Sequence, residues 1–249
     1  MQYGVCNLSI VPLRLEPTDK SELVSQVLYG DFFKVLEERK SWSKIRLAFD
    51  NYEGWIDNKQ YKEIDEVQYK SLDKTNPKLS IDLVEFIQDE NQQLHPILLG
   101  SSLNALPILN HTHDGSIIEG VLHKRNIIET AFMYLNSPYL WGGKTPFGID
   151  CSGFTQMVYK LNGYKILRDA SQQATQGEPL SFIEESEPGD LAFFDNNEGS
   201  IIHVGIIMKD NYIIHAHGKV RIDRLDHYGI YNVDKKIHTH KLRVIKKII

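Results

Sequence analysis

Cysteine is scarce in this chain: two residues in 249, Cys6 and Cys151, lie far apart. Two isolated thiols build neither a disulfide framework nor the close ligand spacing of a structural zinc site, so both are read as free. An excess of one charge is lacking as well. The 28 Lys and Arg stand against 33 Asp and Glu, for a formal charge of −5. The basic residues are scattered apart from the Lys pairs beginning at 235 and 246. A stripe able to neutralise a row of phosphates is missing, which excludes nucleic acid as an expected partner. No apolar run approaches the roughly 20 residues a membrane span requires. The N-terminal MQYGVCNLSIVPLR has neither the basic start nor the apolar stretch of an export signal. Together these absences predict a soluble, cytoplasmic protein without a nucleic-acid or membrane partner.

What is present fits a globular protein, with 41% hydrophobic and 24% charged residues. The length exceeds the usual domain of about 100–200 residues, which predicts two or three compact units. In residues 1–62, DFFKVLEE and SWSKIRLAF alternate apolar with polar, break at DNYEG and resume at GWID, the pattern of short antiparallel strands. The placing of Tyr29-Gly30-Asp31, Trp42 and Gly54-Trp55 resembles a bacterial SH3-like barrel. Residues 63–120 read as a second, degenerate SH3-like unit or an elaborated linker. Within them Ser80 is expected to cap a helix reaching Glu90, with Leu83, Val84 and Ile87 on one face. HPILLGSSLNALPIL and GSIIEGVL read as strands. His111, His113 and Asp114 have the composition of a metal site but sit in a turn without a fourth ligand, and are read as a solvated loop.

Residues 121–249 have a different texture. KRNIIETAFMYLNSP and CSGFTQMVYKLNGY carry apolar residues at helical spacing and end at Pro138 and Gly163, and DASQQATQG is a further short helical stretch. PGDLAFF, IIHVGIIM, NYIIHAHG and HTHKLRVIKKI then read as strands. Helices first and antiparallel strands afterwards give an α+β domain.

The chemistry centres on IDCSGF. Asp150 suits an N-cap, which puts Cys151 in the first helical turn, where exposed amides and the helix dipole favour the thiolate. Gly142, Gly143 and Gly148 are read as room for another molecule to approach the backbone. Cys6, in an apolar strand-like segment, is read as a small buried hydrophobe. A thiolate nucleophile needs a base, and the base needs a group that orients it. His203 and His215 lie on two strands joined by Lys209-Asp210-Asn211, and for a hairpin centred near 209 or 210 both imidazoles share one face. His217 has the same parity and is the competitor. A zinc site of Cys151, His203 and His215 is set aside because no fourth ligand is suggested.

YLWGGKTPFGIDCSGF, RDASQQATQG, EPGDLAFF, HVGIIM and IIHA, in this order, resemble the NlpC family of papain-like bacterial cell-wall peptidases. With the SH3-like front, the chain is similar to the cytoplasmic γ-D-glutamyl-L-diamino-acid endopeptidases that recycle murein peptides. The resemblance implies a papain-like catalytic domain over 121–249 needing no cofactor and no metal. Cys151 is then the nucleophile, His203 the general base and acid, and His215 the group that orients it. Tyr139 is implied as an oxyanion donor beside the thiol, Asp150 and Ser152 as flanking substrate contacts, and Ser171 as facing the acceptor-side carboxylate, with Arg168 as a structural or charge partner. Glu16 and Tyr52, with Asp150, are implied to read the free ammonium of L-Ala-γ-D-Glu-diamino-acid peptides, the expected small murein substrate. Three alternatives stay open: an exported hydrolase acting on intact peptidoglycan stems, a non-catalytic peptide-binding module, and an amidase or acyl transferase for other small substrates.

Overall fold

Seven strands open the computed structural model, which describes residues 1–249. They are β1 (Gln2–Val5), β2 (Ile10–Arg14), β3 (Leu23–Leu28), β4 (Phe32–Glu38), β5 (Trp42–Leu47), β6 (Glu53–Asp57) and β7 (Lys62–Ile64). The alternation visible in the sequence is what the fold uses: Phe33 and Val35 on β4, and Ser43, Ile45 and Leu47 on β5, point inward while their neighbours face out. The sheet runs β3-β2-β6-β5-β4-β1-β7. It encloses a core of Val11, Leu13, Val27, Phe33, Ile45 and Ile56 in which Cys6 is fully buried.

The segment after the barrel differs from its sequence reading. Compact units run from Met1 to Val121 and from Leu122 to Ile249. Residues 63–120 comprise α1 (Glu66–Lys74), β8 (Lys78–Ser80), β9 (Val84–Gln88), β10 (Leu94–Leu98), α2 (Leu106–Leu109), β11 (Thr112–His113) and β12 (Ile117–Glu119). Tyr69, Leu72, Ile87, Ile97 and Leu103 from this segment share one core with Val5, Tyr29 and Ile64 of the barrel. Each large apolar side chain so buried contributes about 1.5–3 kcal/mol, which a free linker would forgo. Gly30 fixes the contact: its φ is +77°, and a Cβ there would lie 1.8 Å from the Ser102 carbonyl oxygen.

The helix expected over Ser80–Glu90 is instead two strands, β8 and β9. Asp89 decides this by accepting from the amides of Asn91 and Gln93, a turn that folds β10 back on β9. Conversely LNALPIL, expected as a strand, is a 3-10 turn followed by α2 and closed by Asn110 at φ 57°.

The second unit is α+β. It contains α3 (Asn126–Phe132), the small hairpin β13 (Lys144–Thr145) and β14 (Gly148–Ile149), α4 (Cys151–Leu161), α5 (Ala170–Gln173) and β15 (Glu178–Leu180). There follow β16 (Leu191–Asp195), β17 (Ile201–Ile207), β18 (Tyr212–His217), β19 (Lys219–Asp226), β20 (Gly229–Asn232) and β21 (Ile237–Lys247). The sheet order is β15-β21-β16-β17-β18-β19-β20, and β20 also pairs with β21, so six strands close on themselves. Every residue of α4 is buried. The helix packs on β17 and β18, with α3 beside it. The strands β19 and β20 were not legible in the sequence, because KVRIDRLD mixes charges into its alternation.

Candidate active site

Cys151 is the first residue of α4, directly after the N-cap Asp150, whose Oδ1 accepts from the Gly153 amide at 2.6 Å. Gly142 and Arg168 hold the same carboxylate. Gly142 donates its amide to Oδ2 at 2.8 Å, and Arg168 donates from Nη1 to Oδ1 at 3.0 Å and from Nη2 to Oδ2 at 2.7 Å. Arg168 Nη1 also donates to Ser152 Oγ at 3.0 Å. Asp150 and Ser152 are thus engaged in fixing the start of α4, with Arg168 as their charge partner. Gln173 of α5 ties the same turn by donating to the Ser152 carbonyl oxygen at 3.0 Å. Ser171, on the same short helix, is exposed.

Gly143, ahead of Cys151, and Gly153, after it, serve this packing. A Cβ on Gly153 would lie 2.3 Å from the Gly143 carbonyl oxygen, and one on Gly143 would lie 2.3 Å from that of Gly148. Bare backbone is what lets the loop close on the helix start.

The two histidines meet as the hairpin parity requires. Gly205 pairs with His215, which sets His203 on the same face, diagonal to it. His203 Nε2 lies 2.8 Å from His215 Nδ1, and His215 Nε2 lies 3.0 Å from Asp223 Oδ2. Cys151 meets β17, the strand of His203, from α4. The Val204 amide, next to His203, is a hydrogen-bond donor to the Cys151 sulfur, as is the Ser152 amide. Since His203 Nε2 is taken by His215, Nδ1 is its remaining nitrogen for the thiol.

Sequence reasoning missed three side chains. Asp223 and Arg221 lie on the unrecognised β19, where Arg221 pairs with His215 across the ladder. Gly218, at φ +72° between β18 and β19, was the signal that would have set this register. His240 comes from β21 and stacks on His203 with ring centroids 4.2 Å apart and planes inclined at 24°. No local signal places it there, because β21 reaches β17 only across β16. His217, the competitor, has its ring centroid 6.5 Å from that of His203. These imidazoles do not form a group that holds a metal ion.

Burial governs the protonation states. It pushes the Cys151 thiol up to about 12, aided by the Asp150 carboxylate and opposed by the Val204 amide and Arg168. Burial therefore opposes the thiolate that the helix start alone favours. Burial also drives His203 well below the ordinary imidazole value, as do the positive charges that His215, His240 and His217 carry when protonated. Burial thus disfavours both an isolated thiolate and an isolated imidazolium here, while a proton passing from the thiol to the imidazole leaves the net charge unchanged. Tyr139, half-buried, is raised by burial and by the neighbouring Cys151 and Asp150 charges, so its phenol keeps its proton as a donor.

Glu16 and Tyr52 both lie in the first unit. Glu16 is exposed in the turn after β2, its amide donating to Ser21 Oγ at 2.8 Å. Tyr52 lies between β5 and β6, partly buried against the barrel core.

Comparison with known proteins identifies two domains. The NlpC/P60 family model matches residues 136–240, and the bacterial dipeptidyl-peptidase SH3 domain matches residues 13–60. Dipeptidyl-peptidase 6 of Lysinibacillus sphaericus is 27% identical, over 89% of this chain and 92% of that protein. The γ-D-glutamyl-L-lysine dipeptidyl-peptidase of Bacillus cereus is 28% identical, over 80% of this chain and 68% of that protein. The crystal structure of an NlpC/P60 family protein from Bacillus cereus shares the fold, with a TM-score of 0.82 and 20% identity over 99% of both chains. Residues 136–240 thus form an NlpC/P60 domain behind a bacterial SH3 domain, and the chain is a peptidase.

Proposed function

We propose that this peptidase hydrolyses the bond from γ-D-glutamate to an L-diamino acid, L-Lys or meso-diaminopimelate, in murein peptides with a free N-terminal L-Ala, as part of cytoplasmic cell-wall recycling. The observation that carries the reading is the likeness along nearly the whole chain, barrel included, to a protein named as a dipeptidyl-peptidase. A dipeptidyl-peptidase measures two residues from a free amine, and here those two residues are L-Ala and D-Glu.

The site supplies the steps. The Cys151 thiol gives its proton to His203 Nδ1 as sulfur attacks the γ-amide carbonyl, and Tyr139 O–H supports the oxyanion. His203 then protonates the leaving amine of the diamino acid, leaving a thioester on Cys151. Water, deprotonated by His203, cleaves the thioester, releasing L-Ala-γ-D-Glu and restoring the thiol.

The test compares L-Ala-γ-D-Glu-L-Lys and its diaminopimelate counterpart with their N-acetylated forms. Cleavage of the free peptides alone supports the proposal. Equal rates would sink it in favour of an enzyme acting on intact stems, whose amine is blocked. Glu16→Gln and Tyr52→Phe address the amine-reading role that the resemblance gives those residues: KM for the free peptide rises while kcat holds.

A further inference from the structure

The mechanism above uses His215 as an orienting group and leaves unexplained a fully buried carboxylate behind it. Asp223 has no exposed surface. Its Oδ2 accepts from Arg221 Nε at 2.7 Å and faces His215 Nε2 at 3.0 Å, while its Oδ1 accepts from Arg221 Nη2 at 2.9 Å and from the Val233 amide at 3.0 Å. A carboxylate so surrounded acts only as an acceptor, so the hydrogen between it and His215 belongs to His215 Nε2. A neutral His215 then has a bare Nδ1. The only hydrogen available to the 2.8 Å contact is on His203 Nε2, which leaves His203 Nδ1 unprotonated.

We infer that Asp223 is a positioning residue that sets the proton on the catalytic base two side chains away: through His215 it holds His203 in the tautomer whose Nδ1 accepts the Cys151 proton. The inference rests on the proposed cysteine-peptidase chemistry. Without the carboxylate, His215 is free to carry its hydrogen on Nδ1 and donate it to His203 Nε2. His203 Nδ1 then bears a hydrogen and cannot take one from sulfur.

The surroundings favour the neutral chain of contacts. His240 stacks on one face of His203, and His217 lies within 6.5 Å of both His203 and His215, so any second positive charge here is repelled. Arg221, shared between Asp223 and Asp234, is the permanent cation beside the carboxylate, with Lys235 facing His217. Burial raises the Asp223 carboxyl, but hydrogen bonds from His215, Arg221 and the Val233 amide together outweigh it and hold the group ionised far below neutral pH.

The test uses the full-length chain and needs no peptide substrate for its first two readouts. In 15N-histidine spectra at pH 7.5, His203 and His215 should both show the Nε2–H tautomer; an Nδ1–H signal from His203 overturns the inference. Asp223→Asn should move His203 to Nδ1–H and slow iodoacetamide alkylation of Cys151, with Cys6 unaffected. Unchanged alkylation overturns it. On a cleaved peptide the variant should lose about 10²-fold or more in kcat at constant KM. In a His215→Gln background, where the relay is already cut, Asp223→Asn should cost less than about twofold. The full loss in both backgrounds would assign Asp223 to the fold alone. Should Asp223→Asn fail to fold, the wild-type spectra decide. Failure to cleave the γ-D-glutamyl peptide would count against the substrate proposal and leave the tautomer result standing.

Discussion

Arg168 grips Asp150 with both terminal nitrogens, at 3.0 and 2.7 Å, although the guanidinium side chain is only 1% exposed. The pair sits directly beneath the nucleophile, since Asp150 caps the helix that begins with Cys151. Removing one member of a buried pair strands the other's charge, at a cost of about 3–5 kcal/mol. Arg168→Met should therefore lower the urea unfolding midpoint sharply and reduce activity with it. Adding Asp150→Asn, which keeps an oxygen for the Gly153 amide, should recover part of the stability. No recovery would show that the stranded carboxylate is not the cause.

How much of this was readable beforehand divides along physical lines. Cys151 behind an N-cap is a local signal, and so is the parity of His203 and His215 across one hairpin; three-residue and period-two rules suffice for both. The fourth member of the chain of contacts, Asp223, needed the register of a second hairpin through Gly218, and its strand was hidden by the charges in KVRIDRLD. His240 required knowing that the last strand of the chain returns beside β16. The helix expected at Ser80–Glu90 failed because Leu83, Val84 and Ile87 fit a helical stripe by spacing, while the Asp89 turn chemistry a few residues on selects a hairpin.

Cys151→Ala should abolish hydrolysis, a fall of about 10⁶-fold in kcat, as for removal of a nucleophile in other hydrolases that use an activated nucleophile. The thiol is 6% exposed and lies at a helix start, so the smaller side chain leaves the fold in place. Circular dichroism and the unfolding midpoint check the second part. Residual turnover near the wild-type rate would move the chemistry elsewhere in the chain.

Tyr139→Phe isolates the phenol's hydrogen. The ring still fills its half-buried place, but the donor beside Cys151 is gone. Loss of one oxyanion donor costs about 10²–10³ in kcat. KM should hold, and the rate of Cys151 alkylation by iodoacetamide should be unchanged, because alkylation builds no oxyanion. A parallel loss of alkylation would mean that Tyr139 tunes the thiol instead.

Acid should destabilise the second unit earlier than its carboxylates alone would. His203 is driven well below the ordinary imidazole value by burial first and then by neighbouring imidazoles, and His240 is held down to about 4 for the same reasons. A histidine with a depressed folded-state pKa binds more protons when unfolded. Its stabilising contribution is fully present above the unfolded value of about 6.5 and drains away as pH falls through the folded value. Asp223, depressed as a carboxylate despite its burial, adds a loss only below the normal carboxylate range of about 4. Urea midpoints measured from pH 8 to pH 4 should therefore stay level down to about 7 and then decline, before most carboxylates titrate. His240→Phe keeps an aromatic ring against His203 and removes one of the titrating groups. Its decline should be shallower, and an unchanged profile would show that His240 is not held neutral by the fold.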